Sequence, residues 1–285
     1  MSLCLGGKFS IRVLGCLAAV GAALCFVAGC VGAGRVVPAS SFPQLQPNVT
    51  LELGSSAVGI CEDGDGLLAL ENSGTRIVRY VVGLTVLDTL PLTHRVIASV
   101  GVAADRFYIY VYDADTLYRM SKDRLDLQPW LRGVRVAGLA AFEDGIMLVS
   151  DADRGEIWYK GLFNESRMFI SGAEVARPGA MVAIEDGSFA VLSTASRLLY
   201  FFNRSGVVTG SIPLPASCDL LAYDGHGTFY IGLRGKPQVW VLRGNRLIGY
   251  RLPGSVSPLS LATVHNRLVV LDAGTRLGIY DLPRQ

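Results

Sequence analysis

Six two-residue turn signals recur along the 285-residue chain at a nearly fixed interval: Asp65-Gly66, Asp105-Arg106, Asp144-Gly145, Asp186-Gly187, His226-Gly227 and His265-Asn266. Counted between their second residues, the spacings are 40, 39, 42, 40 and 39. A repeat of this kind means one supersecondary unit stacked on copies of itself. Before each turn lies a strand of small and branched residues, such as Val58-Gly59-Ile60, Gly138-Leu139-Ala140-Ala141 or Leu259-Ser260-Leu261-Ala262. After it comes a more apolar strand (67–70, 107–112, 146–149, 189–192, 229–233, 268–271), then a polar loop and a third strand with aromatics (77–82, 117–120, 157–160, 198–202, 239–242, 277–280). A fourth strand closes most units, as at 84–90 and 207–212.

Four strands in about 40 residues without helical periodicity are the mark of propeller blades. Inner strands converge on a crowded axis and need small side chains. Middle strands are covered on both faces by neighbouring blades and are apolar throughout, while outer strands meet water and alternate. The expected fold is all-β: a six-bladed β-propeller of four-stranded antiparallel blades over residues 48–285. The sixth unit stops after its third strand. The alternating segment NVTLEL at 48–53 is expected to supply the missing one, so that an N-terminal strand closes the last blade and protects its edge.

The leader reads differently. Lys8 and Arg12 precede an apolar run from Val13 to Gly29, which is the charged region and apolar region of an export signal. Val27-Ala28-Gly29-Cys30 resembles the lipobox of bacterial lipoproteins, with Val where Leu is usual. That resemblance implies cleavage after residue 29, acylation of Cys30, export, and attachment to a cell-envelope membrane. Residues 30–47 carry Gly, Pro, Ser and Gln without periodicity and are expected to form a flexible tether. Removing residues 1–29 leaves as many basic as acidic residues, so the body has no global field with which to hold nucleic acid. Beyond Cys30 only Cys61 and Cys218 remain, in non-adjacent blades, and two buried free thiols are expected rather than a disulfide or a zinc site.

The segments Val149-Ser150-Asp151 to Ile157-Trp158-Tyr159 and Leu271-Asp272-Ala273-Gly274-Thr275-Arg276-Leu277 resemble NHL-type and related six-bladed repeats. Those repeats place Asp at the end of the second strand, where it caps the following loop. Asn72, Asp113, Ser193 and Leu233 stand at the comparable position in other units. The sugar-lactonase branch of such folds uses Glu, Asn and Asp around a central metal, which makes Asn72, Asp113, Asp151 and Asp272 the residues of an alternative reading as a metal-dependent hydrolase. The acidic residue expected to open the first inner strand in that branch is missing. The antibiotic-lyase branch needs a histidine at the channel, and the three histidines are His94, His226 and His265.

The leading expectation is therefore a non-enzymatic binding module without a resident cofactor, whose partner is an envelope protein, a peptide or another envelope component. Its working face is expected where the turns between first and second strands gather around the channel mouth. Those turns carry Glu62, Asp63, Asp65, Asp105, Glu143, Asp144, Glu185, Asp186 and Asp224. Turn chemistry favours Asp but does not call for the preceding glutamates. Glu143, Asp144, Glu185, Asp186, Asp63 and Asp65 are accordingly the candidates for holding a divalent cation or a basic partner segment.

Overall fold

The structure, a computed structural model, describes residues 41–282 apart from 82, 94, 97–100, 114, 144, 164 and 172–174. The leader, Cys30 and the first part of the expected tether lie outside the described residues, as do His94 and Asp144. Blade 1 consists of β2 (Ala57–Asp63), β3 (Gly66–Glu71), β4 (Arg76–Val81) and β5 (Thr85–Pro91), after a first strand β1 (Pro47–Glu52). Blade 2 holds β6 (Gly101–Ala104), β7 (Tyr108–Tyr112), β8 (Thr116–Ser121) and β9 (Leu127–Arg132), and blade 3 holds β10 (Val136–Ala141), β11 (Met147–Asp151), β12 (Glu156–Lys160) and β13 (Ser166–Ile170). Blade 4 is β14 (Pro178–Ala183), β15 (Phe189–Ser193), β16 (Leu198–Phe202) and β17 (Val208–Pro213). Blade 5 is β18 (Leu220–Tyr223), β19 (Thr228–Gly232), β20 (Gln238–Arg243) and β21 (Arg246–Arg251). Blade 6 is β22 (Pro258–Val264), β23 (Arg267–Asp272) and β24 (Arg276–Tyr280), and β1 is its fourth strand. The chain is a six-bladed, all-β propeller.

Closure follows the expected route. Strand β1 runs antiparallel to β24, with Pro47 opposite Tyr280 and Glu52 opposite Arg276. The residues just before it are also packed, although sequence alone places them in the tether. The Leu45 N–H donates to the Arg251 carbonyl at 2.8 Å, the Arg251 N–H donates to the Pro43 carbonyl at 2.9 Å, and the Phe42 ring meets Trp240 edge-on. Leu45 is buried in the layer between blades 5 and 6. The N-terminal segment thus fastens two blades, because the apolar Phe42 and Leu45 find cover along the outer edge of blade 5.

The core is six interblade layers. Every residue of β3, β11, β15 and β19 is buried, whereas β5 exposes all but Leu90. Leu68, Leu70 and Ile77 are fully buried between blades 1 and 2, and each stabilises the fold by about 1.5–3 kcal/mol relative to exposure. At the axis the backbones approach so closely that a Cβ on Gly138 would overlap the Gly179 carbonyl. Ser150 Oγ donates to that same carbonyl at 2.8 Å and ties blade 3 to blade 4.

Antiparallel pairing sorts the connections. First-to-second and third-to-fourth hairpins fall at one end of each blade, and second-to-third loops and interblade connections fall at the other. One turn is displaced from its expected place. In blade 1 Asp63 pairs with Gly66, so the turn is Gly64-Asp65, with Gly64 at φ 58°. Gly66 lies in the strand, where a side chain would strike the Tyr80 carbonyl. In blade 6 the expected pair His265-Asn266 does turn, with φ of 49° and 62°, the left-handed pair that a tight hairpin requires.

Candidate functional site

At the hairpin end, blades 3 and 4 part to leave a recess of about 900 Å³. Its floor and walls are aromatic. Leu148, Tyr159 and Arg167 are successive cross-strand neighbours on β11, β12 and β13, so they share one face of blade 3. The Tyr159 and Phe169 rings lie 6.3 Å apart, Phe169 is 6.2 Å from Phe189 of blade 4, and Phe142 and Tyr223 complete the lining. The Arg167 guanidinium sits 5.0 Å from the Tyr159 ring centre and 5.6 Å from that of Phe169, a cation–π arrangement.

Glu62, Glu143, Glu185 and Asp186 bring carboxylates to this recess from blades 1, 3 and 4, and Arg204 approaches it over Gly187. Glu62, Ala141 and Ala183 also line the central channel, a space of about 290 Å³. Recess and channel therefore meet. The channel wall is made of inner-strand residues such as Gly59, Gly101, Ala103, Ala140, Ala180 and Ala222. Tyr112, Asp219 and Arg234 line it at the loop end, where Arg234 Nε lies 3.6 Å from Asp219 Oδ2.

The acidic residues expected to act together divide into two sets. Asp63 of blade 1 is held by Lys122 and, at 3.3 Å, by Arg79 Nε. Asp65 points outward, and among the described residues its one ion-pair partner is His265, with Nε2 at 3.6 Å. Asp186 caps its own turn, accepting from the Ser188 backbone N–H at 2.8 Å and from the Ser188 hydroxyl, bonds that hold its carboxyl below the usual range. Asp105 accepts from the N–H groups of Phe107 and Tyr108 and from the Tyr110 hydroxyl, each at 2.7 Å. Asp224 accepts from the N–H groups of His226 and Thr228 at 2.8 and 2.9 Å. Asp105, Asp186 and Asp224 are thus turn caps, and Asp63 and Asp65 are ion-pair partners. Among the described residues no hydrogen bond or ion pair engages Glu143 or Glu185, and both are exposed in the recess.

Of the six candidates, Glu143, Glu185 and Asp186 line the recess, and Asp144 lies outside the described residues. Asp63 and Asp65 do not line the recess, and among the described residues no three His, Cys, Asp or Glu side chains are grouped closely enough to hold a metal ion. Glu62 joins the recess in their place. Thr263 Oγ1 lies 2.7 Å from Glu62 Oε2 and 2.8 Å from the Tyr223 carbonyl, so one hydroxyl links blades 5, 6 and 1. Burial against that junction pushes the Glu62 carboxyl up, against the opposing effects of the Thr263 bond and of His265.

Sequence reasoning missed Arg167, Tyr159, Phe169 and Arg204, which come from third and fourth strands and the hairpins between them. The glutamates had a legible signal. Glu-Asp-Gly occurs at 62–64, 143–145 and 185–187, in the first-to-second-strand connection of blades 3 and 4 and at the end of β2 in blade 1.

At the loop end, carboxylates are fasteners. Asp151 accepts from the N–H groups of Asp153 and Arg154 at 3.1 and 3.2 Å, and Asp113 from those of Asp115 and Thr116 at 3.0 and 2.8 Å. Asp272 accepts from the Ser257 N–H at 2.6 Å and from Arg276 Nε at 3.0 Å. In blade 1 the residue in register with Asp151 and Asp272 is Glu71, not Asn72. None of these carboxylates lines the channel. Cys61 and Cys218 are free thiols, and burial pushes Cys218 up to about 12.

No family model matches the chain, and no curated protein matches it. Solved structures do. Virginiamycin B lyase from Staphylococcus aureus is similar with a TM-score of 0.63 at 11% identity, over 84% of this chain and 99% of that one. A streptogramin B lyase gives 0.60 at 11% identity, over 83% and 87%. The WD40 β-propeller domain of Doa1 gives 0.63 at 14% identity, over 85% and 98%. At such identities the likeness is one of fold, and it reaches lyases and a WD40 domain alike. His226 and His265 stand at hairpin turns, and neither is among the described residues lining the recess or the channel.

Proposed function

We propose that this chain is an exported, lipid-anchored propeller that acts as a binding module and takes its ligand at the hairpin end. One observation carries the binding reading: the recess of about 900 Å³, aromatic inside and lined with glutamates, that opens into the channel. A large concave site with a few convergent polar groups is where ligands bind. The anchor rests on Val27-Ala28-Gly29-Cys30 at the end of the apolar run. A protein held by several acyl chains stays at the membrane surface, where a tethered module meets partners at high local concentration.

Two experiments test this. Envelope extracts in detergent are passed over the immobilised chain and over a Glu143→Trp variant, whose new side chain occupies the recess from an exposed position. Partners should be retained by the first and lost by the second; equal retention would place binding elsewhere. For the anchor, Cys30→Ser should abolish labelling by radioactive palmitate and leave unprocessed precursor, whereas persistent labelling would contradict it.

A further inference from the structure

We infer that the recess receives a partner polypeptide through a lysine or arginine side chain flanked by an apolar residue. This rests on the recess being the binding site and names what fits it. The recess gathers Glu62, Glu143 and Glu185 from three blades, while Asp186 is taken up by its turn and Asp63 by ion pairs. Of its cations, Arg167 is spread over Tyr159 and Phe169, and Arg204 packs across Gly187. An anionic segment would bring like charge against the glutamates, which opposes binding.

The aromatic wall supplies the second part of the recognition. It already carries a guanidinium, that of Arg167, stacked on two rings. The same surface chemistry, continued by the part-exposed Phe142 and Tyr223, accepts the flat or extended stem of an incoming arginine or lysine while a carboxylate takes its head. An organic cation with an apolar stem matches a recess that sets aromatic faces beside carboxylates.

The rim argues for a polypeptide rather than a small amine. Phe163 is 86% exposed and Leu162 39% exposed in the third-to-fourth hairpin of blade 3, and Leu162 packs onto the Gly145 turn. Val207, in the hairpin of blade 4 that also carries Arg204, is 59% exposed. A small amine buried in the recess leaves these side chains in water. A polypeptide crossing the rim covers them and shields the charge contact from solvent, the arrangement in which a few central contacts dominate affinity.

The test uses an array of random dodecapeptides probed with the full chain in detergent, with its Glu143→Trp variant, and with the double variant Glu143→Gln, Glu185→Gln. Peptides pairing Lys or Arg with an adjacent apolar residue should be enriched. The double variant should lose about tenfold or more of their binding while keeping its thermal midpoint, the equivalent of one good charge contact. Phe163→Ser should weaken the demand for the apolar neighbour and leave the preference for the cation. Enrichment of neutral or acidic peptides that Glu143→Trp abolishes would overturn the cationic assignment and keep the recess as the site. Binding that Glu143→Trp leaves untouched would overturn the recess itself.

Discussion

Glu62 and Glu71 lie on adjacent strands of one blade, at opposite ends of the propeller, and their carboxyl groups are shifted in opposite directions. Glu62 sits at the hairpin end between recess and channel, where burial raises it. Glu71 sits at the loop end. Burial pushes it up as well, but the bonds from Arg76, Ser55 and Ser73 outweigh that effect and leave it below the usual range. The pair shows how the molecule divides its acids. At the loop end a carboxylate meets backbone N–H groups and arginines and serves stability. At the hairpin end Asp105, Asp186 and Asp224 cap turns in the same way, and Glu62, Glu143 and Glu185 line the recess.

Neither end exists without the ring, so the largest expected effect comes from opening it. A chain starting at residue 55 loses β1 and the contacts of Phe42 and Leu45, and exposes the edge of β24. It should be about 3–5 kcal/mol less stable than one starting at residue 41, the size of a severe core lesion. Urea unfolding of the two checks this. Equal midpoints would mean that the sixth blade holds together without its fourth strand.

Next comes the loop end itself. Asp272→Ala should cost about 2–3 kcal/mol, because it strands the Ser257 N–H and the Arg276 guanidinium together. Asp151→Ala should cost less, since Arg154 is half exposed and lies 3.7 Å away. A loss below about 0.5 kcal/mol for Asp272→Ala would erase the distinction between the two ends.

The fold was readable from sequence because every blade repeats the same order of small, apolar and aromatic strands, and the axis tolerates only glycine where Gly138 meets the Gly179 carbonyl. The site was half readable. Hairpin acids announce themselves through turn chemistry, but Tyr159, Phe169, Arg167 and Arg204 belong to outer strands and hairpins that share no motif from blade to blade. Their convergence depends on blade twist, which no local pattern encodes. The shift of one residue in blade 1, where Glu71 rather than Asn72 takes the capping place, has a similar origin: register across the strand pair fixes the position, and Asn72 falls just outside it.

The opposite shifts of Glu62 and Glu71 give a smaller effect with a definite sign. Glu71 is depressed in the fold, so its contribution is present above the ordinary glutamate value of about 4.3 and disappears as pH falls through its folded value. Glu62 is raised, so its contribution is complete below about 4.3 and is lost as pH rises through its folded value. Stability measured from pH 3 to 7 should therefore change slope in opposite senses in Glu71→Gln and Glu62→Gln. The first variant should flatten the acid limb, and the second should remove a loss that wild type shows on the way to neutrality. Slopes moving the same way in both would mean that the two ends treat glutamate alike.

The smallest effect is the most telling for function. Glu143→Gln with Glu185→Gln removes two carboxylates that make no hydrogen bond or ion pair among the described residues, on exposed side chains at the recess. Surface changes without partners stay within about 0.5 kcal/mol, so the thermal midpoint should scarcely move. The corresponding change at the loop end, Asp151→Asn with Asp272→Asn, alters similar chemistry and should lower the midpoint clearly, because an amide replaces the charge that Arg276 and the capped N–H groups require. Side chains kept at a concave surface without a structural task are available to a ligand. If the Glu143 and Glu185 pair proves as costly to lose as the Asp151 and Asp272 pair, the hairpin glutamates are structural too, and the recess loses the charge on which cation recognition depends.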